Sequence, residues 1–238
     1  MSALKYGRIL LKLSGEILAG KKGFGVDPGK AKALAQEVKS AREMGTEVGL
    51  VIGGGNIIRG DRAEIRGMDR VSADYLGMLA TIINAITLQD ALEKEDCETR
   101  TLTAISISQL AEPYIRRRAL RHLEKGRIII IAGGTGNPYF STDTAAALRA
   151  IEIEADVVLK GTKVDGIFDK DPEKFHSAKR FDTLTFEKVI EDELRVMDLT
   201  AVTLCKENKL PIVVFNINNT GSLKRILLGE KIGTIVQS

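Results

Sequence analysis

The 238-residue sequence has no tryptophan and only two cysteines and two histidines. The two cysteines, Cys97 and Cys205, form no CxxC pair, so we expect a reduced protein without a zinc site built from side chains. Aromatic residues make up 5%, which leaves little material for stacking nucleic-acid bases. Charge of one sign is also lacking, because 35 Lys and Arg stand against 32 Asp and Glu, a net charge of +3. This balance does not favour nucleic acid as the main partner.

Long apolar runs are missing as well. The N-terminal segment MSALKYGRILLKLSGE has too short an apolar run for a signal peptide, and we expect no segment of membrane-spanning length. No repeat, low-complexity tract or linker rich in Pro, Gly or Ser divides the chain. The sequence therefore predicts a single globular domain over residues 1–238, located in the cytoplasm and without a membrane partner.

Short apolar runs typical of buried strands alternate with helical patterns along the whole chain. The predicted strands are residues 8–13, 47–52, 99–104, 127–131, 156–160, 211–215 and 233–237. The predicted helices are residues 28–44, 69–95, 115–125, 145–153 with a start near Thr142, 186–193, 198–208 and 222–228. Such alternation predicts an α/β fold, a three-layer αβα sandwich with a mostly parallel central sheet.

The stretch AGGTGNPYFSTD, residues 132–143, is the most informative part of the chain. Its glycines Gly133, Gly134 and Gly136 let the backbone approach a ligand closely. A helix starting near Thr142 would aim its free N–H groups back into the loop and favour an anion there. Open α/β sheets bind ligands at such strand ends. An ordinary turn would not need so many polar side chains, so we interpret the stretch as a ligand site.

Two further strand ends carry glycine turns. The second predicted strand runs into Gly53-Gly54-Gly55, whose N–H groups could surround an oxyanion, and Arg59 adds charge nearby. The first strand carries Lys12 near its end and is followed by Ser14-Gly15. Residues 15–21 match GxxxxGK, but position 22 is Lys where a Walker loop needs Ser or Thr, so we reject that motif. We interpret residues 20–25, GKKGFG, as an exposed, mobile loop.

Two anion-binding loops, several cations and an acid suit transfer of a phosphoryl group between two phosphate-bearing ligands. In this hypothesis Lys12 and the glycine N–H groups hold the donor phosphates, and Lys160 adds positive charge. Asp143 orients these cations and a metal ion. No loop has the composition of an all-protein magnesium cage, so Mg²⁺ would arrive with the nucleotide. Asp74 is either a first-turn acid favoured by its helix or a carboxylate that accepts hydrogen bonds from ribose hydroxyls.

Six segments, in order and end to end, resemble bacterial uridylate kinase (UMP kinase) of the amino acid kinase superfamily. They are KLSGE, VIGGGNIIRG, GTGNPYFSTD, IEIEADVVLKGTKVDGIFDKDP, VMDLTA and LPIVVFNIN. The resemblance implies phosphorylation of UMP to UDP by ATP with Mg²⁺, a homo-oligomer that is generally a hexamer, activation by GTP and inhibition by UTP. It also implies the amino acid kinase fold. Eukaryotic UMP/CMP kinases use a Walker loop, which this chain lacks.

The resemblance also assigns residues, motif by motif. For ATP they are Lys12, Leu13, Ser14, Gly15, Gly55, Arg59, Thr162, Phe168 and Asp171. For UMP they are Gly54, Asp74, Thr135, Gly136, Asn137, Pro138, Tyr139, Phe140, Ser141 and Thr142. The catalytic set is Lys12, Arg59, Asp143, Lys160 and Asp198, with no metal site made by the protein alone. The effector response is assigned to Gly20, Lys21, Lys22, Gly23, Phe24, Gly25, Arg100 and Arg127. The long helix has Gln89 and Glu93 where some relatives have basic residues.

Three other functions fit the sequence less well. A kinase of the same superfamily acting on carbamate or acetylglutamate would not need Asp74 or the TGNPYFSTD loop, because those acceptors have neither ribose nor phosphate. A non-catalytic nucleotide sensor or storage protein could keep the loops but would not need Lys12, Arg59 and Asp143. A nucleic-acid regulator would rest on the basic residues 116–118, a pattern more typical of a solvated face.

The predicted helix over residues 69–95 is apolar on two sides. One side carries Leu76, Leu79, Ile83 and Ile86, and the other carries Met78, Ile82 and Ala85. A helix that is apolar on two faces is normally buried on two faces. The pattern predicts that this helix packs on the core and also forms a subunit contact.

Overall fold

The computed structural model describes residues 4–58, 67–172, 174–175, 177–194 and 196–238, so the predicted site residue Arg59 lies outside the described residues. The strands are β1 (Arg8–Leu13), β2 (Glu47–Ile52), β3 (Thr99–Thr103), β4 (Glu112–Pro113), β5 (Ile128–Ala132), β6 (Val157–Thr162), β7 (Thr183–Thr185), β8 (Ile212–Asn216) and β9 (Thr234–Gln237). The helices are α1 (Pro28–Glu43), α2 (Arg70–Glu93), α3 (Arg116–Glu124), α4 (Thr142–Glu152), α5 (Phe186–Glu191), α6 (Leu199–Glu207) and α7 (Ser222–Leu227). Two short 3₁₀ turns, Gly15–Leu18 and Gly20–Lys22, lie between β1 and α1.

The strands form one sheet in the order β4-β3-β5-β2-β1-β6-β8-β9-β7. Neighbouring strands are parallel except β8 and β9, which are antiparallel. The predicted α/β class and mostly parallel sheet are therefore confirmed. The sequence did not predict β4 and β7, which have two and three residues. Such short segments carry no apolar periodicity, and their strand character comes from pairing with β3 and β9.

Strand residues alternate between two core layers, one on each face of the sheet. In β1, Ile9, Leu11 and Leu13 pack into the layer that includes residues of α1, α2 and α7. Leu10 packs into the opposite layer, with residues of α3, α4, α5 and α6. Since successive strand side chains point to opposite faces, this alternation also fixes the face on which the polar residues of each strand lie.

Helix α2 spans 24 residues and is capped by Asp69, whose side chain accepts the Ser72 N–H at 3.1 Å. Its inner side, with Ile82, Ala85 and Leu88, is buried in the core. Its outer side exposes Tyr75, Leu79, Ile83 and Ile86. By length and composition α2 is long and apolar enough to cross a membrane, so the expectation that no segment reaches that length was wrong. A core helix passes the same test, and the inner side of α2 is buried in the core, so length and composition alone do not indicate a membrane span.

Glu37 joins α1 to the start of α7. Its buried carboxylate accepts hydrogen bonds from the N–H groups of Gly221 and Leu223, both at 3.0 Å. Gly221 has a left-handed backbone with φ of 80° and supplies no side chain to cap α7. The Glu37 carboxylate therefore replaces the missing cap from a distant part of the chain.

We predict that Glu37→Ala lowers the free energy of unfolding by about 1–3 kcal/mol, because two N–H groups lose their acceptor in a buried environment. Urea denaturation measures the change. Glu43→Ala is the control, since Glu43 is an exposed residue of the same helix and its loss should change stability by less than about 0.5 kcal/mol. Equal stability of the two variants would show that the Glu37 contacts add nothing to the fold.

Candidate active site

The carboxyl ends of four neighbouring strands bring the predicted loops together. The sheet order β5-β2-β1-β6 is parallel throughout, so the loops that follow these strands lie side by side at one edge. They are the loop after β5 with TGNPYFS, the triple-glycine turn after β2, the Ser14-Gly15 turn after β1 and the GTKVDG loop that begins at the end of β6. The four loops share no sequence neighbourhood, and only the strand order aligns them.

The centre of this edge is an ion-pair cluster. Lys12 of β1 and Lys160 of β6 are direct partners in the parallel register. Strand alternation turns both side chains to the face on which Leu10 and Val158 lie, the face covered by α4. Asp143, in the first turn of α4, is bound by both, with Oδ1 2.5 Å from Lys12 Nζ and Oδ2 2.9 Å from Lys160 Nζ. Lys160 Nζ also donates to the Val196 carbonyl at 2.5 Å.

Burial and charge act in opposite directions on these groups. Burial raises the pKa of Asp143, but Lys12 and Lys160 outweigh it, and the pKa of this carboxyl lies below its ordinary value. Burial, together with the neighbouring charge of Lys12, lowers the pKa of Lys160, although Asp143 works against this. The cluster therefore holds a firmly ionised carboxylate between two cations, with a formal excess of one positive charge.

Asp198, the N-cap of α6, fixes the position of α4. Its carboxylate accepts the Ala201 N–H at 3.0 Å, the Thr144 hydroxyl at 2.8 Å and the Ser141 hydroxyl. Ser141 is in turn the N-cap of α4 and accepts the N–H groups of Asp143 and Thr144. Asp198 thus holds the helix start that carries Asp143, while its own oxygens face hydroxyl and amide donors.

Beside the cluster lies a cavity of about 630 Å³, within the size range of small-molecule sites. The predicted residues that line it are Gly54, Gly55, Asp74, Phe140, Ser141 and Thr142. Gly134 of the predicted glycine stretch also lines it, as do Met68, Arg70 and Thr81, which were not predicted. The spacing of Arg70 and Asp74, four residues apart on one helix, was a usable signal for Arg70.

Asp74 binds the loop after β5 rather than standing alone. Arg70 Nε lies 2.9 and 2.8 Å from its two oxygens, and Oδ2 accepts the Tyr139 N–H at 2.7 Å. The Arg70 guanidinium also lies over the Tyr139 ring, 5.5 Å from its centroid. Tyr139 has a left-handed backbone with φ of 73°, uncommon for an aromatic residue and held here by these contacts. The alternative of a first-turn acid was wrong, because α2 begins at Arg70 and has no acid in its first turn.

The remaining residues assigned to UMP lie in the turn next to Asp74. The Thr135 hydroxyl accepts the Asn137 N–H and donates to its carbonyl, both at 3.2 Å. Gly136 has a left-handed backbone with φ of 84°, and Pro138 follows at the tip of the turn. The structure therefore places these residues in one folded turn at the rim of the site.

The residues assigned to adenosine lie on the chain that leaves β6. Thr162 ends β6 and donates its hydroxyl to the Val164 carbonyl at 2.7 Å. Phe168 is half-buried and pairs with Arg180 in a short bridge, and Asp171 lies 3.6 Å from Lys174. The same segment reaches back to the turn after β1, where Lys163 and Glu16 form an ion pair at 2.9 Å. The turn after β1 and the predicted adenosine loop are thus in direct contact.

The predicted effector residues separate into two groups. Residues 21–24 are exposed, and Gly25 is tied to Asn56 close to the triple-glycine turn. Arg100 and Arg127 lie at the amino ends of β3 and β5, on the other edge of the sheet. Both pair with Glu98, at 3.0 and 2.8 Å. Within one chain the structure does not bring the two groups together.

The basic run at the start of α3 faces acidic partners. Arg116 pairs with Glu154, and Arg118 lies 3.3 Å from Glu112. Arg121 pairs with Glu124 at 3.2 Å. This charge pattern is that of a solvated face and favours no nucleic-acid site.

Among the residues described, no group of three or more His, Cys, Asp or Glu side chains could hold a metal ion. Asp143 is the carboxylate at the centre of the cluster, and both of its oxygens face lysines. One carboxylate of this kind suits Mg²⁺ that is carried mainly by phosphate oxygens, which needs one or two protein carboxylates.

Comparison with known proteins finds matches over most of the chain. The model of the amino acid kinase family matches residues 7–216. The chain is similar to the UMP kinase from Bacillus anthracis, with 42% identity and a TM-score of 0.95 over 98% of this chain and 96% of that one. It is similar to the UMP kinase from Ureaplasma parvum, with 37% identity and a TM-score of 0.92 over 98% of this chain and 100% of that one.

A more distant structure has the same fold. The uridylate kinase from Archaeoglobus fulgidus is 27% identical, with a TM-score of 0.72 over 96% of this chain and 99% of that one. The family match and the two closer structures identify the chain as a member of the amino acid kinase family, in its UMP kinase branch.

Proposed function

We propose that this protein transfers the γ-phosphoryl group of ATP to UMP, giving UDP and ADP. The observation that carries the proposal is the order of loops along the sheet edge. The cavity beside the β5 and β2 loops lies on one side of the Lys12–Asp143–Lys160 cluster, and the Ser14-Gly15 turn with the β6 loop lies on the other. Acceptor and donor would then meet over the excess positive charge. The likeness to two proteins named as UMP kinases supports UMP as the acceptor.

The two lysines would act on the charge of the transferring group. Phosphoryl transfer needs positioning and neutralisation of charge on the transferred oxygens and little covalent help from the protein. Lys12 and Lys160 supply two cations whose positions are fixed before substrate arrives, because Asp143 holds both. Charges fixed in advance need no reorganisation during the reaction, and this makes them effective in a partly buried site.

Mg²⁺ fits this donor set as a partner of the nucleotide. Bound together with the nucleotide, it would neutralise part of the phosphate charge during transfer. Asp143 is the residue that would hold it on the protein side, and Asp198 keeps the start of α4 in place for that role.

On the acceptor side, Asp74 is proposed to accept hydrogen bonds from the ribose hydroxyls. Its carboxylate lines the cavity, and its contacts with Arg70 and Tyr139 keep it oriented. The residues Thr135, Gly136, Asn137, Pro138, Tyr139, Phe140, Ser141 and Thr142, with Gly54, are proposed to surround UMP. On the donor side, Lys12, Leu13, Ser14, Gly15 and Gly55 are proposed to hold phosphates, and Thr162, Phe168 and Asp171 the adenosine.

We also propose that the protein forms a homo-oligomer, a hexamer by resemblance, through the outer side of α2. Four large apolar side chains, Tyr75, Leu79, Ile83 and Ile86, are 36–48% exposed there, as expected of a surface that is covered in the assembly. Cytoplasmic location, GTP activation, UTP inhibition and the lack of nucleic-acid or membrane partners stay predictions. Assays of the purified oligomer with GTP or UTP added would test the effectors.

The decisive experiment measures ADP release from MgATP with UMP, CMP, dUMP, carbamate and acetylglutamate offered separately. We expect turnover with UMP and none with carbamate or acetylglutamate, because the cavity carries groups for a ribose and a phosphate. Turnover with acetylglutamate alone would move the protein to another activity of the family. Nucleotide binding without turnover for any acceptor would indicate a sensor or storage protein.

Replacing Asp143 tests the cluster. In Asp143→Asn the two lysines lose their common anion, so we expect turnover to fall by about 10²–10³, equal to about 2.7–4 kcal/mol. Steady-state kinetics on the folded variant measures it. Asp192→Asn is the control, because Asp192, the C-cap residue of α5, is exposed and forms an ion pair with Lys188 at 2.6 Å. If turnover of Asp143→Asn stays within threefold of the wild type, Asp143 is not part of the mechanism.

Replacing Asp74 tests the acceptor side. Asn can still accept the Tyr139 N–H but lacks the charge, so Asp74→Asn should raise the KM for UMP about tenfold, the value of one charge-assisted hydrogen bond. The KM for ATP should change less than twofold. Asp69→Asn provides the control, because Asp69 caps the same helix and Asn caps as well as Asp. A larger effect on the KM for ATP would show that the two substrate sides are assigned the wrong way round.

A further inference from the structure

A pair of buried side-chain amides lies beneath the two glycine turns of the site. Asn56 follows the triple-glycine turn, and Asn84 belongs to the inner side of α2. Both residues are fully buried. Each donates to the other, Asn84 Nδ2 to Asn56 Oδ1 at 2.6 Å and Asn56 Nδ2 to Asn84 Oδ1 at 3.0 Å. Buried amides of this kind are costly unless they are satisfied, so their further contacts show what they hold.

The second contact of each amide is a backbone carbonyl. Asn84 Nδ2 donates to the Gly53 carbonyl, and Asn56 Nδ2 donates to the Gly25 carbonyl, both at 2.7 Å. Gly25 in turn donates its N–H to the Asn56 carbonyl at 2.8 Å. Both amide nitrogens face carbonyl oxygens, so a flipped amide would place two acceptors against each other. The hydrogen-bond partners therefore define one orientation for the pair.

The pair also contacts the turn after β1. A Cβ added at Gly15 would clash with Asn56 Oδ1 and the Gly53 carbonyl and would lie 3.0 Å from Asn84 Nδ2. The backbone of Gly15 therefore rests directly on the amide pair and on the peptide that the pair holds. One small polar unit thus sets the spacing between the Ser14-Gly15 turn and the triple-glycine turn.

The contact with Gly53 has a consequence for the next residue. In a trans peptide the carbonyl and the following N–H point in opposite directions, and the chain has no cis peptide among its described residues. With its carbonyl bound to Asn84, the Gly53–Gly54 peptide must direct the Gly54 N–H away from the pair. Gly53 N–H is bound to the Leu13 carbonyl at 2.9 Å, and the Gly54 carbonyl accepts the Ile57 and Ile58 N–H groups. In the described part of the chain the Gly54 N–H has no partner, and Gly54 lines the cavity.

We propose that Asn84 and Asn56 are positioning residues that orient the Gly53–Gly54 peptide, so that the Gly54 N–H is a fixed donor to phosphate oxygens in the site. The pair touches no substrate and acts through the backbone. A glycine peptide is free to rotate, and an external lock removes that freedom before the ligand binds. The glycine turn after β5 is also held by α2, since the Thr81 hydroxyl accepts the Gly133 N–H at 2.8 Å.

This inference rests on the proposed function, and its test includes a measurement that does not depend on turnover. In Asn84→Ala the kcat with UMP and MgATP should fall about 10²-fold, the loss typical of one backbone-type oxyanion donor, while the KM for ATP stays within threefold. The Kd for UMP, measured by calorimetry without ATP, should rise about fivefold. A merely structural role would lower only the melting temperature, so all assays are run well below it.

The control for lost stability is Leu92→Ala. Leu92 is fully buried two turns further along α2, and its truncation costs about 2–5 kcal/mol of folding energy without touching a glycine turn. Its kcat and its Kd for UMP should stay within twofold of the wild type. If Leu92→Ala and Asn84→Ala lose the same activity, the amide has no positioning role.

A double-mutant cycle tests whether the amides act as a unit. Asn56→Ala alone should lower kcat about tenfold, because Asn84 loses the partner that orients it, and the double variant should lose no more than Asn84→Ala. Additive losses of kcat would show that the two amides act independently, which would overturn the claim that they act as a unit. Should Asn84→Ala fail to fold, Asn56→Ala carries the same kcat and Kd measurements. If the wild type shows no turnover with UMP, the proposed function fails, and an unchanged Kd for UMP in the variants would separately overturn the inference.

Discussion

The site depends on one buried carboxylate held between two lysines. Removing three charged groups from water is costly, and the cost is recovered only when their geometry is accurate. Three separate parts of the fold supply that geometry. The parallel register of β1 and β6 sets Lys12 beside Lys160, the alternation of strand residues turns both toward α4, and Asp198 fixes the start of α4 through Ser141 and Thr144. A shift of one residue in the register would turn one lysine to the opposite face of the sheet.

The proposed anion-binding surface around this cluster is made largely of backbone. Glycine turns bring N–H groups close to a ligand, but they gain this access by giving up rigidity. Hydrogen bonds from neighbouring side chains restore this rigidity. Asn84 and Asn56 hold the Gly53 carbonyl, Thr81 holds the Gly133 N–H, and Asp74 holds the Tyr139 N–H. The side chains that hold or orient these loops come mainly from α2.

Helix α2 therefore serves two surfaces at once. Its inner side supplies Asp74, Thr81 and Asn84 to the loops of the site, and its outer side presents four exposed apolar side chains. The exposed apolar outer side contributes to a composition that resembles that of a membrane span. The same arrangement places the proposed subunit contact on the opposite side of α2 from the glycine turns.

The sequence by itself determined the elements and the residue types of the site. Strong apolar runs defined β1 and β2 with their observed bounds, and the glycine turns, Lys12, Asp143 and Asp74 were recognisable because their chemistry is local. The short strands β4 and β7 and the contacts of Asp74 were not, since each depends on a partner distant in the chain. Only the tertiary structure decided the strand order that lines up four loops, the register that pairs Lys12 with Lys160, and the burial of Asn56 against Asn84. The reason is physical: periodicity reports the environment of each segment, whereas adjacency and hydrogen-bond partners arise when segments pack together.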